Sequence, residues 1–393
     1  MKKKVLIMCS NMDIGGFQKS LISLLTYFDY ESYEVDLLLF RPEGIFMDLI
    51  PEQVNVISSK IPKEYFMPLK KSFLGLLKKR HFKLMVYRLI CSSIGLIDKG
   101  MGAILMSKAI PPLEKTYNIS IDYNGQYILY YMVDKVKANK KITYFHSDYE
   151  MWSYYKNADR KYYKKVDNIV TVSDICVNSL IRFFPSEQFK VKKIENIISE
   201  ETVNIFPLDK KSFEDNFDGV RILTVGRVCI EKGIDIAIEA CSILKSQGLN
   251  VRWYVVGPIF DKEHFTSLIK RYDLKEDFIF LGPTNNPYNY MRDADIIAHP
   301  SKFEGKAVVI EEAKILKKLI VATSFSTVFN QLKNGEDGII VEMDKKDLAA
   351  GIKSLIENIK LRDTIFHNLN NNNQGNKDEV NKLFSLMEFE ENG

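Results

Sequence analysis

The feature that most restricts this chain is an alternation, run through twice, of short apolar segments with stretches of helical periodicity. Residues 5–9 form a continuous apolar run entered from lysines and left through Ser10-Asn11, the pattern of a central parallel strand covered on both faces. Gly15-Gly16 follow, and Phe17, Leu21, Leu24, Leu25 and Phe28 then recur at helical spacing over 17–28. Further strands are expected at 35–40, 54–58, 119–123, 141–145 and 168–172. A second series opens with a strand at 220–225, a helix at 233–247, a strand at 251–256, a helix at 265–272 and a strand at 278–281. Strands at 296–298, 319–322 and 338–341 continue it. Such alternation predicts an α/β chain of two Rossmann-like, doubly wound domains facing across a cleft.

The length agrees, since single cores stop growing at roughly 250 to 300 residues and this chain has 393. The expected division is a first domain over 1–200, a linker over 201–219 where Pro207, several acids and Gly219 interrupt the pattern, and a second domain over 220–369. Residues 370–393 read as an asparagine-rich loop and a terminal amphipathic helix carrying Val380, Leu383, Phe384 and Met387, placed to pack back on the first domain.

Charge excludes one class of partner. A net +4 leaves no nucleic-acid footprint. Cations do concentrate over residues 60–108, where Lys63, Lys70, Lys71, Lys78, Lys79, Arg80, Lys83, Arg88 and Lys99 meet only Glu64 and Asp98. Phe66, Phe73, Leu74, Leu77, Phe82 and Leu89 are interleaved with them. Two readings stand: helices lying on an anionic membrane surface, or a core-packed helix pair with a solvated basic face. The five cysteines are scattered without metal-ligand spacing, which fits a reducing compartment. The apolar run after the N-terminal lysines is too short for a signal peptide, and no run reaches the roughly 18 apolar residues of a spanning helix. The expected location is cytoplasmic, including the inner face of the cell membrane.

Two clusters in the second series could carry chemistry. In 301–313, Glu304 and Glu312 have seven residues between them. If Gly305 opens a helix, its backbone N–H groups and positive dipole end favour a diphosphate, and the two carboxylates share a face about two turns apart. An acidic surface helix with Glu304 as N-cap satisfies the same spacing. Residues 226–233, Gly226-Arg227-Val228-Cys229-Ile230-Glu231-Lys232-Gly233, leave a strand at its carboxyl end, where ligands bind in open parallel sheets. Arg227 would offer a planar fork and Lys232 a point charge to a diphosphate; a solvated Arg-Glu-Lys turn is the alternative. Asp293-Ala294-Asp295 looks like a metal pair, but its place between a helix and an apolar strand makes Asp295 a turn or cap residue, and no metal is expected.

In their order and spacing, Gly226-Arg227, Glu231-Lys232-Gly233, Asn286-Pro287-Tyr288, Asp293-Ala294-Asp295 and the 301–313 segment resemble family-4 retaining glycosyltransferases of GT-B fold. The resemblance extends over the chain, is strongest from 220 to 341, and is greatest to bacterial enzymes that build capsular and other surface polysaccharides. It implies a nucleoside diphosphate sugar donor, UDP-sugar favoured over GDP-sugar, a glycan or lipid-linked acceptor, and no required cofactor. It assigns Arg227 and Lys232 to the diphosphate, Glu312 to the ribose and Glu304 to the transferred sugar. The N–H groups of Gly305, Lys306 and Ala307 would face the phosphates, with Gly226 beside them. Gly282 to Asn286 would border the base. In the first domain Gly15 and Gly16 correspond to the family's glycine loop, and His146, after a predicted strand, to its histidine near the donor sugar; a packed, hydrogen-bonded histidine is the alternative. Lys306-Ala307 departs from many relatives, so the donor sugar does not carry over. An epimerase or phosphorylase of similar fold, and a non-catalytic binding subunit, remain alternatives. A dehydrogenase fits less well, because residues 11–18 lack the Gly-x-Gly-x-x-Gly spacing.

Overall fold

The computed structural model describes residues 2–13, 15–204, 206, 212–284, 286–371 and 375–388. The chain divides into two compact units, one of Met1–Asn196 with Asp378–Gly393 and the other of Ile197–Lys377.

The first unit is built on seven parallel strands: β1 (Lys3–Cys9), β2 (Tyr33–Leu39), β3 (Asn55–Ser58), β4 (Tyr117–Asp122), β5 (Ala138–Phe145), β6 (Asn168–Thr171) and β7 (Val191–Lys193). Their order is β3-β2-β1-β4-β5-β6-β7, so the winding reverses between β1 and β4. β1 is buried from Val5 to Cys9, as a strand covered on both faces must be. β7 escapes the sequence pattern because its three residues, Val-Lys-Lys, hold one apolar side chain. Three helices, Leu69–Lys78, Phe82–Ile97 and Lys99–Lys108, fill the stretch between β3 and β4. One core cluster joins Tyr65, Leu76 and Ile104 of this stretch to Tyr130, Tyr149 and Tyr163. Asp159 is sealed into it, accepting from the Tyr130 hydroxyl at 2.6 Å; burial pushes its carboxyl up to about 6.

The second unit carries β8 (Val220–Val225), β9 (Val251–Val256), β10 (Phe278–Gly282), β11 (Ile296–His299), β12 (Leu319–Thr323) and β13 (Ile339–Val341), all parallel in the order β10-β9-β8-β11-β12-β13. Here the reversal lies between β8 and β11. Trp253, fully buried in β9, donates its indole N–H to Thr224 Oγ1 at 3.0 Å, and Thr224 passes its own hydroxyl to the Ala298 carbonyl at 2.8 Å. A polar chain thus links three neighbouring strands with every member partnered.

The observed division differs from the expected one around 201–219. The second unit begins at Ile197, and Glu200–Asn204 is helical. Residues 205 and 207–211 of that stretch, with Pro207, lie outside the described residues, as do 14 beside the first glycine pair, 285 in the expected base border and 372–374 in the asparagine run. The terminal helix is Glu379–Met387 and belongs to the first unit. Its Phe384 ring lies 5.4 Å from Phe28 and 6.0 Å from Tyr33, and Glu379 Oε2 accepts the Glu195 N–H at 2.9 Å.

Candidate active site

In open parallel sheets, ligands bind beyond the carboxyl ends of the strands where the winding reverses. In the second unit the loops there are those after β8 and β11. Gly226 continues β8 by donating to the Val256 carbonyl at 2.9 Å. Gly257 packs so tightly on Gly226 that a Cβ there would lie 1.9 Å from its carbonyl oxygen. Arg227, next along, is exposed and has no hydrogen-bond or ion-pair partner among the described residues. Gly233 takes a left-handed conformation at φ 64° and starts the helix Ile234–Ser246; an added Cβ would meet the Pro300 carbonyl oxygen at 1.9 Å. The close approach lets the Lys302 N–H reach the Glu231 carbonyl at 2.9 Å and Lys302 Nζ reach Asp235 at 2.7 Å. The two loops are fastened side by side.

Glu304 stands where they meet. Its Oε1 accepts from Lys232 Nζ, from Ser301 Oγ at 2.9 Å and from His299 Nε2 at 3.0 Å. Burial by itself would raise this carboxyl, but the Lys232 ammonium and the His299 hydrogen bond outweigh it and hold the group well below the usual carboxylate range. Glu304 is therefore an ionised, three-fold anchored acceptor. The loop is fixed from behind as well, because Thr323 Oγ1 donates to the Ser301 carbonyl at 2.5 Å and Thr327 Oγ1 to the Glu304 carbonyl at 3.1 Å.

The helix after this loop begins later than its spacing suggested. It spans Val308–Ile315, with Ala307 as N-cap and no side-chain cap, so Gly305 does not open it and Glu304 does not cap it. The cause is Gln331. Its amide accepts the Ala307 N–H at 2.8 Å and donates to the Ala307 carbonyl at 2.9 Å, holding this residue extended. The Ala307 N–H is thus committed inside the protein, which removes it from the three donors expected to face phosphate. Lys306 also turns inward: its side chain is 8% exposed and its Nζ lies 3.9 Å from Glu311 Oε1. Glu312 is buried in the helix and accepts the Tyr288 hydroxyl at 2.7 Å. Tyr288 belongs to the short helix Pro287–Asp293, capped by the Asn286 side chain, which accepts the Tyr288 N–H at 3.1 Å. Gly282 ends β10 at φ 80°. Asp295 accepts the Arg221 N–H at 2.7 Å, and Asp293 is taken up by Arg292 and Ser212. Among the described residues no group of three His, Cys, Asp or Glu side chains could hold a metal ion.

The corresponding crevice of the first unit is neutral. Gly15 is the extended N-cap of the helix Gly16–Thr26, without a side-chain cap. Around it Gln18 Nε2 donates to Asn11 Oδ1 at 3.3 Å, and the Ser10 N–H donates to Asn124 Oδ1 at 3.1 Å. The nearby cation, Arg41, pairs with Asp13 at 3.1 Å. His146 follows β5, its Nδ1 3.2 Å from Asn196 Oδ1 and its ring stacked on Phe17, the residue after Gly16, at 5.7 Å. Burial lowers its pKa to about 4, so the ring is neutral near pH 7, with a buried Nε2 that has no hydrogen-bond partner among the described residues.

Of the expected residues, Gly226, Arg227, Lys232 and Glu304 share one locus, Asn286 and Glu312 meet through Tyr288, and Gly16 neighbours His146 within the first unit. His299, Ser301, Thr327 and Gln331 were not foreseen. His299 ends an apolar run where an imidazole has no packing reason to be, and that was the available signal.

Over 202 residues the chain is 29% identical to a 4-alpha-N-acetylgalactosaminyltransferase of Campylobacter jejuni that acts on N-acetylgalactosamine-N,N'-diacetylbacillosaminyl-diphospho-undecaprenol, matching 51% of this chain and 53% of that protein. It is 29% identical over 197 residues to the capsular polysaccharide biosynthesis glycosyltransferase CapM of Staphylococcus aureus, 47% of this chain and 49% of the relative. The chain thus spans about half the length of these curated relatives. Its fold matches that of Anabaena HepE, solved in complex with UDP and glucose, with a TM-score of 0.71 at 16% identity over 98% of both chains. Residues 207–370 match the family model described as glycosyl transferases group 1.

Proposed function

We propose that this protein is a retaining glycosyltransferase that moves a sugar from a nucleoside diphosphate sugar, of UDP type, to a lipid-linked glycan acceptor in bacterial surface polysaccharide synthesis, working at the cytoplasmic face of the membrane. The observation that carries the reading is the locus after β8 and β11, where exposed Arg227, without a hydrogen-bond or ion-pair partner among the described residues, lies in the same loop as Lys232, and Lys232 is held by an ionised Glu304. A fork and a point charge at a winding reversal suit a diphosphate. The relatives support the polysaccharide setting, the Campylobacter protein the lipid diphosphate acceptor, and HepE the UDP donor.

In the proposed reaction the bond between the anomeric carbon and the diphosphate oxygen breaks, and the acceptor hydroxyl oxygen forms the new bond on the same face. The acceptor proton passes to a donor phosphate oxygen, and UDP leaves. Arg227 and Lys232 stabilise the charge that grows on the diphosphate, the largest kind of contribution a site of this sort makes. Glu304 accepts a sugar hydroxyl and Glu312 a ribose hydroxyl. Gly282 and Asn286 border the base, and Gly305 and Lys306 lie along the phosphates. In the first unit Gly15, Gly16 and neutral His146 meet the donor sugar or acceptor.

The test incubates purified protein with radiolabelled UDP- and GDP-sugars and membrane lipid extract. Labelled lipid with the anomeric configuration kept, lost in Arg227→Ala, is the expected result. Isomerised donor without transfer, or UDP binding unchanged in Arg227→Ala and Glu304→Ala, overturns the reading.

A further inference from the structure

The helix Phe82–Ile97 of the first unit is apolar on both sides: Leu84, Met85 and Tyr87 pack against the core and Cys91 is buried, yet large apolar side chains also face outward. Two of its polar side chains point inward: the Tyr87 hydroxyl donates to the Leu105 carbonyl at 3.0 Å, and Arg88 Nε donates to the Tyr65 carbonyl at 3.1 Å. Its outward face carries Phe82, Val86, Leu89, Ile90, Leu96 and Ile97, spaced as one stripe of an α-helix and all exposed. Leu96 and Ile97 are 90% and 93% exposed. No acid occurs anywhere in this helix. Exposed Ser93 is the polar residue within the stripe, and an exposed apolar stripe of this kind on a folded protein marks an interaction site.

Cations stand at both ends of the stripe. Lys78, Arg80 and Lys83 are exposed around its start. Immediately past Ile97, Asp98 lines a cavity of about 660 Å³ with Asn157, Arg160, Lys161 and Lys164. Lys99 lies 3.9 Å over the ring of exposed Tyr154, which extends the apolar face beside that cavity. We infer that this face docks on an anionic phospholipid bilayer. The six apolar side chains enter the boundary between headgroups and acyl chains, the flanking cations meet lipid phosphates, and the cavity at Arg160 and Lys164 receives one headgroup phosphate. Charge complementarity favours this occupant over a second copy of the chain. A two-fold pairing would lay the patch on itself and set cations against cations.

The inference deepens the lipid-linked acceptor reading by naming the surface that meets the lipid, and its test involves neither donor nor acceptor. The full chain is sedimented with vesicles of phosphatidylcholine alone and with about 30% phosphatidylglycerol added. Wild type is expected to sediment with the anionic vesicles only, less so as salt rises. Leu96→Ser with Ile97→Ser, at positions too exposed to disturb folding, should weaken binding at least about tenfold, and Arg160→Gln with Lys164→Gln about threefold or more. UDP binding by titration calorimetry stays unchanged in both, which separates this inference from the proposed activity. Equal affinity for neutral vesicles, equal binding by the double serine variant, or a vesicle-independent dimer abolished by that variant overturns it.

Discussion

The loops after β1 and after β8 occupy the same place in two sheets of like winding, yet their chemistry differs. Beyond β1 the polar groups close on one another: Asn11 with Gln18, Asn124 with Ser10, and Arg41 with Asp13. Beyond β8 the Arg227 guanidinium has no hydrogen-bond or ion-pair partner among the described residues, and an ammonium is held by one carboxylate that two further donors also steady. Equal topology supplies two crevices, and side chains decide which of them is fit for an anion. The fold alone does not assign function.

The comparison can be broken most sharply at Lys232. Lys232→Ala should lower transfer by about 10²- to 10³-fold in steady-state kinetics, as loss of one leaving-group stabiliser does; a fall under tenfold would remove the second crevice from the chemistry. Calorimetric titration with UDP should then show Arg227→Ala weakened by tenfold or more, since a charged hydrogen bond is worth about 1.5 to 3 kcal/mol. Arg41→Ala, whose cation is spent on Asp13, should change affinity less than about twofold; the reverse ranking would exchange the two crevices.

The glycines sharpen the contrast through stability. Gly233→Ala combines a left-handed backbone with a clash against the Pro300 carbonyl and should cost about 1 to 3 kcal/mol in urea unfolding. Gly15→Ala meets an extended backbone and only the movable Gln18 side chain, and should cost under about 1 kcal/mol.

The smallest effect is a pH dependence in the first unit. His146 is harder to protonate folded than unfolded, so its contribution is complete above pH 6.5 and is lost as pH falls through that value towards about 4. Asp122 and Asp159, both pushed up to about 6 by burial, act in the opposite sense, losing stability as pH rises from 3.8 to about 6. The difference between wild type and His146→Gln across this range isolates the histidine. No narrowing of that difference at low pH would show that the ring is not buried as a neutral group.

Much of this was legible in sequence, for a physical reason. Buried parallel strands must be apolar throughout, so β8 and β9 could be delimited to the residue, and β1 was found with its end at Cys9. Residues 226–233 and 301–313 were legible as two separate clusters at strand ends, and it was the family resemblance that assigned Gly226, Arg227, Lys232 and Glu304 to one donor. The start of the helix at Val308 was not legible, since it depends on Gln331, a partner distant in sequence whose amide imitates a neighbouring strand. The face that Phe82–Ile97 turns outward was hidden for a related reason. Periodicity states that a stripe exists, but only the packing of Tyr87 and Arg88 shows which side is inside.

The helix Glu379–Met387 bears on the order in which the protein is made. Phe28 and Tyr33 belong to its opening stretch, but Phe384, which covers them, is translated after all of residues 197–377. At ordinary elongation rates the first unit waits roughly 10 to 40 s for its last piece. During that interval the second unit can fold independently on the ribosome, whereas the first still lacks the helix that covers Phe28 and Tyr33, so a stop codon placed before residue 378 would damage the unit that was synthesised first.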